Sequence, residues 1–574
     1  MKNYLVSYIF SNIADMLEIK GENFFKIRAY RKAARAISNL PEDVEALVET
    51  SSLAGIEGIG KALEEKIKEI VNTGTCEYYE RLKEEVPAAL VEMLKVPGLG
   101  AKKIRTIYER LNITTIEELE QAAKQHRLRG LPGIGVKTEQ GILKGIAMLK
   151  GTMGKMLLPT AIFLAEEIIS MLKSHPAVEK VEVAGDLRRR QDLIEELEIV
   201  VSSKVPEEAI AGLLSYPRIK EVRERNNDTL KVLLDLGIEA NFHVVEPETF
   251  WPSVHFLTGN EEHRKKLQEI ARGKGYDLRR DCIVQKENGE ILYPESEEKI
   301  YEMLGMPYII PELREDRGEI EAGMAGRLPR SIEIGDIKGD LHVHSNWSDG
   351  MNTIEEIALR ARDRGYEYIA ITDHSKSLKI ARGLDEERLF EQIELIKKLN
   401  EKIEGIRILC GIEVDILSND LLDFDDDVLE RLDIVIASIH SGFNQDREKL
   451  TRRVLNAIYN PYVNVIAHPT GRILTKREPY DIDIDAVLEA AAETNTVLEI
   501  NSTPDRLDLN DRLARKAKEK GVKIVINTDA HELEGLNDMK YGVWVARRAW
   551  LEKEDVINTR ALPHLMEMLR QKRK

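Results

Sequence analysis

The sequence predicts a multidomain α plus α/β chain, with helical domains in front, a mixed α/β domain in the middle and an α/β barrel behind. At 574 residues it exceeds what one hydrophobic core serves. Its first 150 or so residues have helical periodicity cut by short Gly-bearing turns, whereas apolar strand-like runs alternate with helices in the second half. Hydrophobic residues make up 43% and charged residues 32%, so there are cores to bury, and collagen-like, low-complexity and disordered classes are excluded. The formal net charge of −17 argues against wholesale wrapping of nucleic acid, so any DNA contact must be local. Cys76, Cys282 and Cys410 lie far apart without CxxC spacing, which speaks against a disulfide framework or thiolate zinc site and suits a reducing cytoplasm. Asp15 and Glu18 come before any long apolar run, and no stretch approaches the roughly 18 apolar residues of a membrane span. The expectation is a soluble, cytoplasmic monomer without membrane contact.

Three turns of the front part look alike: Ile56-Glu57-Gly58-Ile59-Gly60-Lys61, Val96-Pro97-Gly98-Leu99-Gly100-Ala101-Lys102 and Leu131-Pro132-Gly133-Ile134-Gly135-Val136-Lys137. Each follows one helix and opens another, leaving backbone N–H groups at a helix N-terminus free for phosphate. Gly58, Gly60, Gly98, Gly100, Gly133 and Gly135 let a phosphate approach the main chain, and Lys61, Lys102 and Lys137 add a cation. These are candidate DNA-backbone contacts, without sequence readout. In the helix after the first turn, Leu63, Ile67, Ile70 and Val71 define the buried face, and Lys66 stands at its apolar border. Partial desolvation there suits an uncharged amine that attacks an aldehyde to make a Schiff base.

From about Val178 to Glu246 the runs VEKVEVAG, LEIVVSS and TLKVLLDL read as strands with helices between them. The strand period of two puts Glu196 and Glu198 on one face, and a later strand, IEANFHVV, supplies Asn241. Glu312 to Asp336 is charged and bears Gly and Pro, as a linker does. Beyond it, YIAITDH, RILCGIEVD, DIVIASIH, VNVIAHP, TVLEINS and VKIVINTDAH are buried parallel strands with crossover helices. Of 12 histidines, six fall at ends of these strands with carboxylates: His342 and His344 with Asp349, His374, Glu413, His440, His468, and Asp529 with His531. In HxH on a strand both imidazoles project from one face and can bind one ion. Strand ends are where barrel loops assemble sites, and imidazole with carboxylate but no thiolate suits Mn²⁺, Zn²⁺ or Fe²⁺. Arg382 and Arg472 are candidate phosphate clamps.

The residues just named carry a resemblance. GENFFKIRAYRKAARAISNLP, the GIG turn and EEKI resemble the N-terminal lyase domain of family X DNA polymerases, and the three turns resemble helix-hairpin-helix motifs. Lys66 then matches the lysine that excises a 5′-deoxyribose phosphate, with Lys26, Tyr30 and Arg31 as phosphate-gripping neighbours. Gly185-Asp186-Leu187-Arg188-Arg189-Arg190 with Glu196-Leu197-Glu198 resembles the nucleotidyltransferase palm, and Phe256 to Gly259 its sugar-reading loop. Gly185, Arg189 and Gly259 are thereby implied nucleotide contacts. The family pattern has a serine where Asp186 stands, an Asp-x-Asp pair where Glu196 and Glu198 stand, and a third Asp where Asn241 stands. A longer side chain displaces an ion, and an amide is no base for the primer hydroxyl. The resemblance thus implies a degenerate palm with impaired or lost synthesis, using Mg²⁺ or Mn²⁺ and a deoxynucleoside triphosphate if active.

The strand-end motifs resemble the polymerase and histidinol phosphatase (PHP) domain, a distorted (β/α)7 barrel with a three-metal site. His342, His344, Asp349, His374, Glu413, His440, His468, Asp529 and His531 fill its ligand positions, with Mn²⁺ expected first and Zn²⁺ second. The chemistry is expected to depend on Asp349, His374 and Asp529 there and on Lys66 in front, and Asp373 and Asp415 are expected to orient ligands. Over nearly the whole length the chain resembles bacterial and archaeal family X DNA polymerases. The implied division is 1–85 lyase-like with the first hairpin, 86–150 two further hairpins, 151–245 palm, 246–315 thumb-like, 316–338 linker and 339–574 PHP. The implied function is base excision repair on gapped, nicked or abasic DNA, with 3′–5′ exonuclease action by the barrel. A fully active gap-filling polymerase and a small-molecule phosphatase of the histidinol-phosphate type are the alternatives.

Overall fold

A computed structural model describes residues 2–572 apart from 39, 41–43, 51, 52, 54, 55, 57 and 58. The chain forms two compact units, Met1–Met153 with Thr475–Arg477, and Gly154–Leu474 with Glu478–Lys574. Among the described residues no helix is long and apolar enough to cross a membrane.

The first unit is helical. Helices α1 (Lys2–Lys20) and α2 (Phe24–Ser38) pack through the face Val6, Phe10, Ile13 and Leu17, all fully buried at three- and four-residue spacing. Helix α3 (Lys61–Thr73) buries Leu63, Ile67, Ile70 and Val71, the face its spacing predicts, and ends at Gly74, whose left-handed backbone returns its N–H to the Ile70 carbonyl. Helices α4 (Ala101–Leu111) and α5 (Val136–Thr152) begin, like α3, after a glycine in extended conformation with no side-chain cap.

The second unit holds two large sheets. The first has five strands, β1 (Lys180–Ala184), β2 (Glu196–Ser202), β3 (Ile219–Arg225), β4 (Thr229–Leu234) and β5 (Glu239–Val245), in the order β1-β2-β5-β4-β3. Its central pair β2/β5 is parallel, and the register sets Glu198 beside Asn241 and Val200 beside His243. Helix Phe250–Thr258 packs on this sheet through Phe250 and Val254, and a smaller region follows, with helices Glu261–Gly273 and Glu297–Met303 against a three-stranded antiparallel sheet.

The expected linker, 316–338, is packed rather than free. It contains helix Glu319–Met324, buries Glu319 against His263, and pairs Arg317 with Asp511. Burial of Ile320, Ile332 and Ile337 supplies the reason, since isoleucines among the charges give it a face to hide.

The barrel sheet has seven parallel strands in chain order, β6 (Gly339–Asp340), β7 (Tyr368–Ile371), β8 (Arg407–Asp415), β9 (Ile434–Ser438), β10 (Val465–Ile466), β11 (Val497–Asn501) and β12 (Ile524–Asn527). A parallel bridge between Val343 and Ala530 joins the extensions of the first and last strands, so the sheet nearly closes. Strands β7, β9, β11 and β12 are buried throughout, as strands covered on both faces must be.

Candidate metal centre

At the C-terminal ends of the barrel strands the chain leaves the sheet, and side chains of successive strands converge there. The structure brings the nine expected residues into one cluster. The ligand atoms of His344, Asp349, His374 and His531 lie within 4.8 Å of one another, as do those of His342, His344 and Asp529, and those of His374, Glu413 and His440. Glu413 sits in the middle: its Oε1 lies 3.1 Å from His468 Nε2 and 3.4 Å from His440 Nε2. Its Oε2 lies 2.8 Å from His374 Nδ1, 3.5 Å from His342 Nε2 and 3.6 Å from His344 Nε2. Asp529 Oδ1 is 3.0 Å from His344 Nε2 and 3.5 Å from His342 Nε2. Despite these separations, His342 Nε2, His344 Nε2, His374 Nδ1 and Glu413 Oε2 are buried without a hydrogen-bond partner. Buried polar atoms left so cost about 1–3 kcal/mol each. They are aimed at shared points in space, and imidazole and carboxylate donors converging there fit divalent cations.

Electrostatics point the same way. Burial pushes Glu413 and Asp529 up, but the imidazoles around them, His440, His374 and His342 for one and His342, His344 and His531 for the other, hold both well below the carboxylate range. Burial opposes charge on His342, yet Glu499, Asp529 and Glu413 raise it well above the usual imidazole value. His531 is raised to about 9 by Asp349 and Asp529 against burial, while burial with His531 and His374 lowers His344 to about 3. In the ion-free protein, protons on imidazoles supply the positive charge that the acids require.

A second layer fixes the rings. Glu499, fully buried in β11, accepts from His342 Nδ1 at 2.8 Å and from the His468 N–H at 2.8 Å. Our sequence reading missed it. The signal was an acid inside the otherwise apolar run TVLEINS, which burial tolerates only with partners. Asp415 accepts from His440 Nδ1 at 2.7 Å. Asp373 touches no ligand ring; it ties the loop before Asp349 through the Ser345 N–H, the Ser345 and Ser348 hydroxyls and Gln392. His468 and Asp529 have φ of 28° and 55°, strain of about 1–3 kcal/mol each that the Glu499 bond and a 2.9 Å bond from the Asp529 N–H to the His342 carbonyl hold in place. The two expected phosphate clamps are otherwise engaged. Arg382 donates to the Ser348 carbonyl, and Arg472 donates to Asp192 and to the carbonyls of Arg506 and Leu507.

The five-stranded sheet treats its acids differently. Asn241 Nδ2 donates to Glu196 Oε2 at 2.7 Å and to Glu198 Oε1 at 2.8 Å, so one amide bridges both carboxylates. His243 Nε2 meets the other Glu198 oxygen, and Arg280 holds its Nδ1. Gly185 has φ 58°, and a Cβ there would lie 3.0 Å from Glu198 Cγ. Gly259 likewise faces the His263 ring, 2.8 Å from where a Cβ would stand. Arg189 is buried, donating to Asp186, to Glu315 at 2.6 Å and to the Thr258 carbonyl at 2.6 Å, while Arg188 pairs with Glu297. Arg189, the cation expected to meet a triphosphate, is spent on the carboxylates of Asp186 and Glu315.

In the helical unit, Lys66 Nζ reaches the Ala62 carbonyl at 3.3 Å and lies 5.3 Å from the centre of the Tyr78 ring, on which Lys26 and Arg81 also converge. Tyr30 stacks on Tyr78, whereas Arg31 pairs with Asp15 and Glu18. Gly58 lies outside the described residues. Gly98 and Gly133 have φ of 79° and 78°. Gly60, Gly100 and Gly135 have ordinary extended φ, and among the described residues a Cβ at any of them would meet nothing within 4 Å. Lys61, Lys102 and Lys137 are exposed beside these turns.

Family models match at residues 1–76 (helix-hairpin-helix domain), 90–147 (SAM-like helix-hairpin-helix tandem), 253–315 (DNA polymerase beta thumb) and 340–503 (PHP domain). The DNA polymerase/3′-5′ exonuclease PolX of Bacillus subtilis (strain 168) is 41% identical over 564 residues, 98% of each chain. A probable phosphatase of Thermoanaerobacter sp. (strain X514) is 35% identical over 246 residues, 41% of this chain and 95% of its own. Another, from Caldanaerobacter subterraneus subsp. tengcongensis, is 34% identical over 262 residues, 44% of this chain and 96% of its own.

Proposed function

Because the chain belongs to the DNA polymerase/3′-5′ exonuclease PolX family, we propose that it is a DNA repair enzyme whose barrel hydrolyses phosphodiesters from the 3′ end with divalent metal, Mn²⁺ first. The observation that carries this reading is the set of buried, unpartnered donor atoms of His342, His344, His374 and Glu413. Divalent ions bound there would supply water activation and neutralise charge on the departing oxygen. The chain's own residues do the rest. His342, His344, Asp349, His374, Glu413, His440, His468, Asp529 and His531 would hold the ions. Glu499 keeps the His342 proton on Nδ1, leaving Nε2 to face inward, and Asp415 does the same for His440. The helix-hairpin-helix regions hold gapped or nicked DNA through Gly60, Gly98, Gly100, Gly133, Gly135 and their lysines.

Synthesis at the palm is impaired in this reading. The bridge from Asn241 to Glu196 and Glu198, and the pairing of Arg189 with Glu315, support that view. Lys66, near Lys26 and Arg81, would remove a 5′ sugar phosphate as an amine nucleophile. The division into 1–85, 86–150, 151–245, 246–315, 316–338 and 339–574 belongs to the same proposal.

Parallel nuclease and primer-extension assays on a gapped duplex with Mn²⁺ test it. Exonuclease action lost in His342→Ala/His344→Ala is expected, and robust extension abolished by Glu198→Ala would overturn the palm reading. The probable phosphatases that match the barrel favour one second reading, hydrolysis of a small phosphate ester. Faster turnover of histidinol phosphate than of a 3′-recessed duplex would establish it.

A further inference from the structure

The palm and the barrel meet around Asp192, in the loop after the Arg188-Arg189-Arg190 run. Its side chain is mostly buried and accepts from two barrel arginines, Arg472 Nη2 at 2.7 Å and Arg548 Nη2. Arg548 is itself buried and also donates to the Arg190 carbonyl. With one edge fixed by Asp192, Arg472 turns the rest of its guanidinium to another segment: Nε donates to the Arg506 carbonyl at 2.9 Å, and Nη2 to the Leu507 carbonyl. That segment follows β11 and is tied again where Asp508 accepts from the Thr470 N–H at 3.0 Å and its hydroxyl at 2.9 Å. At its apex Arg506 points inward, its Nε 3.8 Å from Asp529 Oδ2, beyond hydrogen-bond reach and still partly exposed. A guanidinium held beside a metal-facing carboxylate, with donors left over, matches a phosphate oxygen two-pronged.

We propose that Arg506 contacts the scissile phosphate, and that the palm residue Asp192 is a positioning residue that sets Arg506 in place through Arg472. The inference rests on reading the barrel as a phosphodiesterase and gives the palm a task that needs no polymerisation. A palm that holds a nuclease loop has to keep its fold and its Asp192, but not its metal-binding acids. Arg472, one of the two phosphate clamps the sequence suggested, becomes the holder of the clamp.

A double-mutant cycle tests this, with kcat and KM measured in Mn²⁺ on a 3′-recessed duplex and on thymidine 5′-monophosphate p-nitrophenyl ester, which has no duplex to grip. Arg506→Ala is expected to lower kcat about 100-fold on both substrates, as loss of one preorganised donor does, with Mn²⁺ binding by calorimetry unchanged. Arg506→Lys should recover part of it. Asp192→Ala should lower kcat about tenfold with KM for the duplex unmoved, the effect of a misplaced group rather than a lost one. The double variant should be no slower than Arg506→Ala alone, because Asp192 acts only through Arg506. Amide hydrogen exchange at Leu507 and Asp508 should rise in Asp192→Ala and in Arg472→Lys, but not in Arg506→Ala. Should Asp192→Ala fail to fold, Arg472→Lys takes its place in the cycle. Multiplying rate effects, or wild-type kcat in Asp192→Ala, overturn the inference while leaving the phosphodiesterase reading intact. A wild-type protein that cleaves neither substrate overturns the reading itself, and unchanged exchange in Asp192→Ala then overturns the positioning role as well.

Discussion

In the palm, Glu196 and Glu198 share the amide nitrogen of Asn241; in the barrel, Glu413 and Asp529 face imidazoles of which His342 Nε2, His344 Nε2 and His374 Nδ1 make no hydrogen bond. Both regions gather acids beside parallel strands, where they repel. The palm relieves this with a neutral donor of its own, and its arginines are consumed by Glu315 and Glu297. The barrel relieves it with protons on His342 and His531, which a cation can displace. A site satisfied by protein donors has little to gain from an ion. One with its donors unpaired gains the whole of their desolvation cost.

The largest expected effect removes the barrel's side of the contrast. His342→Ala/His344→Ala should cut Mn²⁺-dependent exonuclease action by more than about 10³-fold, several kcal/mol of transition-state stabilisation. Metal analysis of the purified variant should show the loss of bound ion. Next, Glu499→Gln leaves only a neutral partner for His342 and sets an amide among the donors of Asn527 and His468. Mn²⁺ affinity by calorimetry should fall roughly 10–100-fold. A third change tries to abolish the difference: Glu196→Asp/Glu198→Asp/Asn241→Asp should raise primer extension at least about tenfold. It should also lower the melting temperature in EDTA and regain it with Mn²⁺, as three carboxylates without a bridging donor repel.

An effect of similar size comes from pH. With His531 raised to about 9, its ring holds a proton at neutral pH that Mn²⁺ must expel. Apparent affinity should therefore rise up to roughly tenfold per unit toward pH 9 and then level off. Proton release on binding, read calorimetrically in buffers of different ionisation enthalpy, checks the sign. The smallest effect lies in the helical unit. Gly100→Ala adds a methyl that meets no atom of the described residues within 4 Å, so stability should change by less than about 1 kcal/mol. Binding to gapped DNA should weaken a few-fold in a fluorescence anisotropy titration.

Local chemistry made much of this legible in one dimension. The strand ends TDH, GIE, SIH, AHP and TDAH are each a few residues long, and an apolar run followed by a buried-type polar group implies partners wherever it occurs. Helix faces such as Leu63, Ile67, Ile70 and Val71 follow from periodicity, and the hairpin turns from glycine. The buried isoleucines of 316–338 were hidden among charges that looked like a linker's. Glu499 was readable as an acid in an apolar strand, but the histidines it holds, His342 and His468, are more than 25 residues away along the chain.

Alone, the sequence determined the fold class and which side chains end each barrel strand, because periodicity and turn chemistry act over neighbouring residues. Tertiary structure alone decided what the arginines do. A guanidinium takes whichever carboxylate the fold brings to it, so Arg472 went to Asp192, Arg189 to Glu315, and Arg506 was left facing Asp529. The energy of such pairs depends on distance and burial in three dimensions, and neither is written in the spacing of residues along the chain.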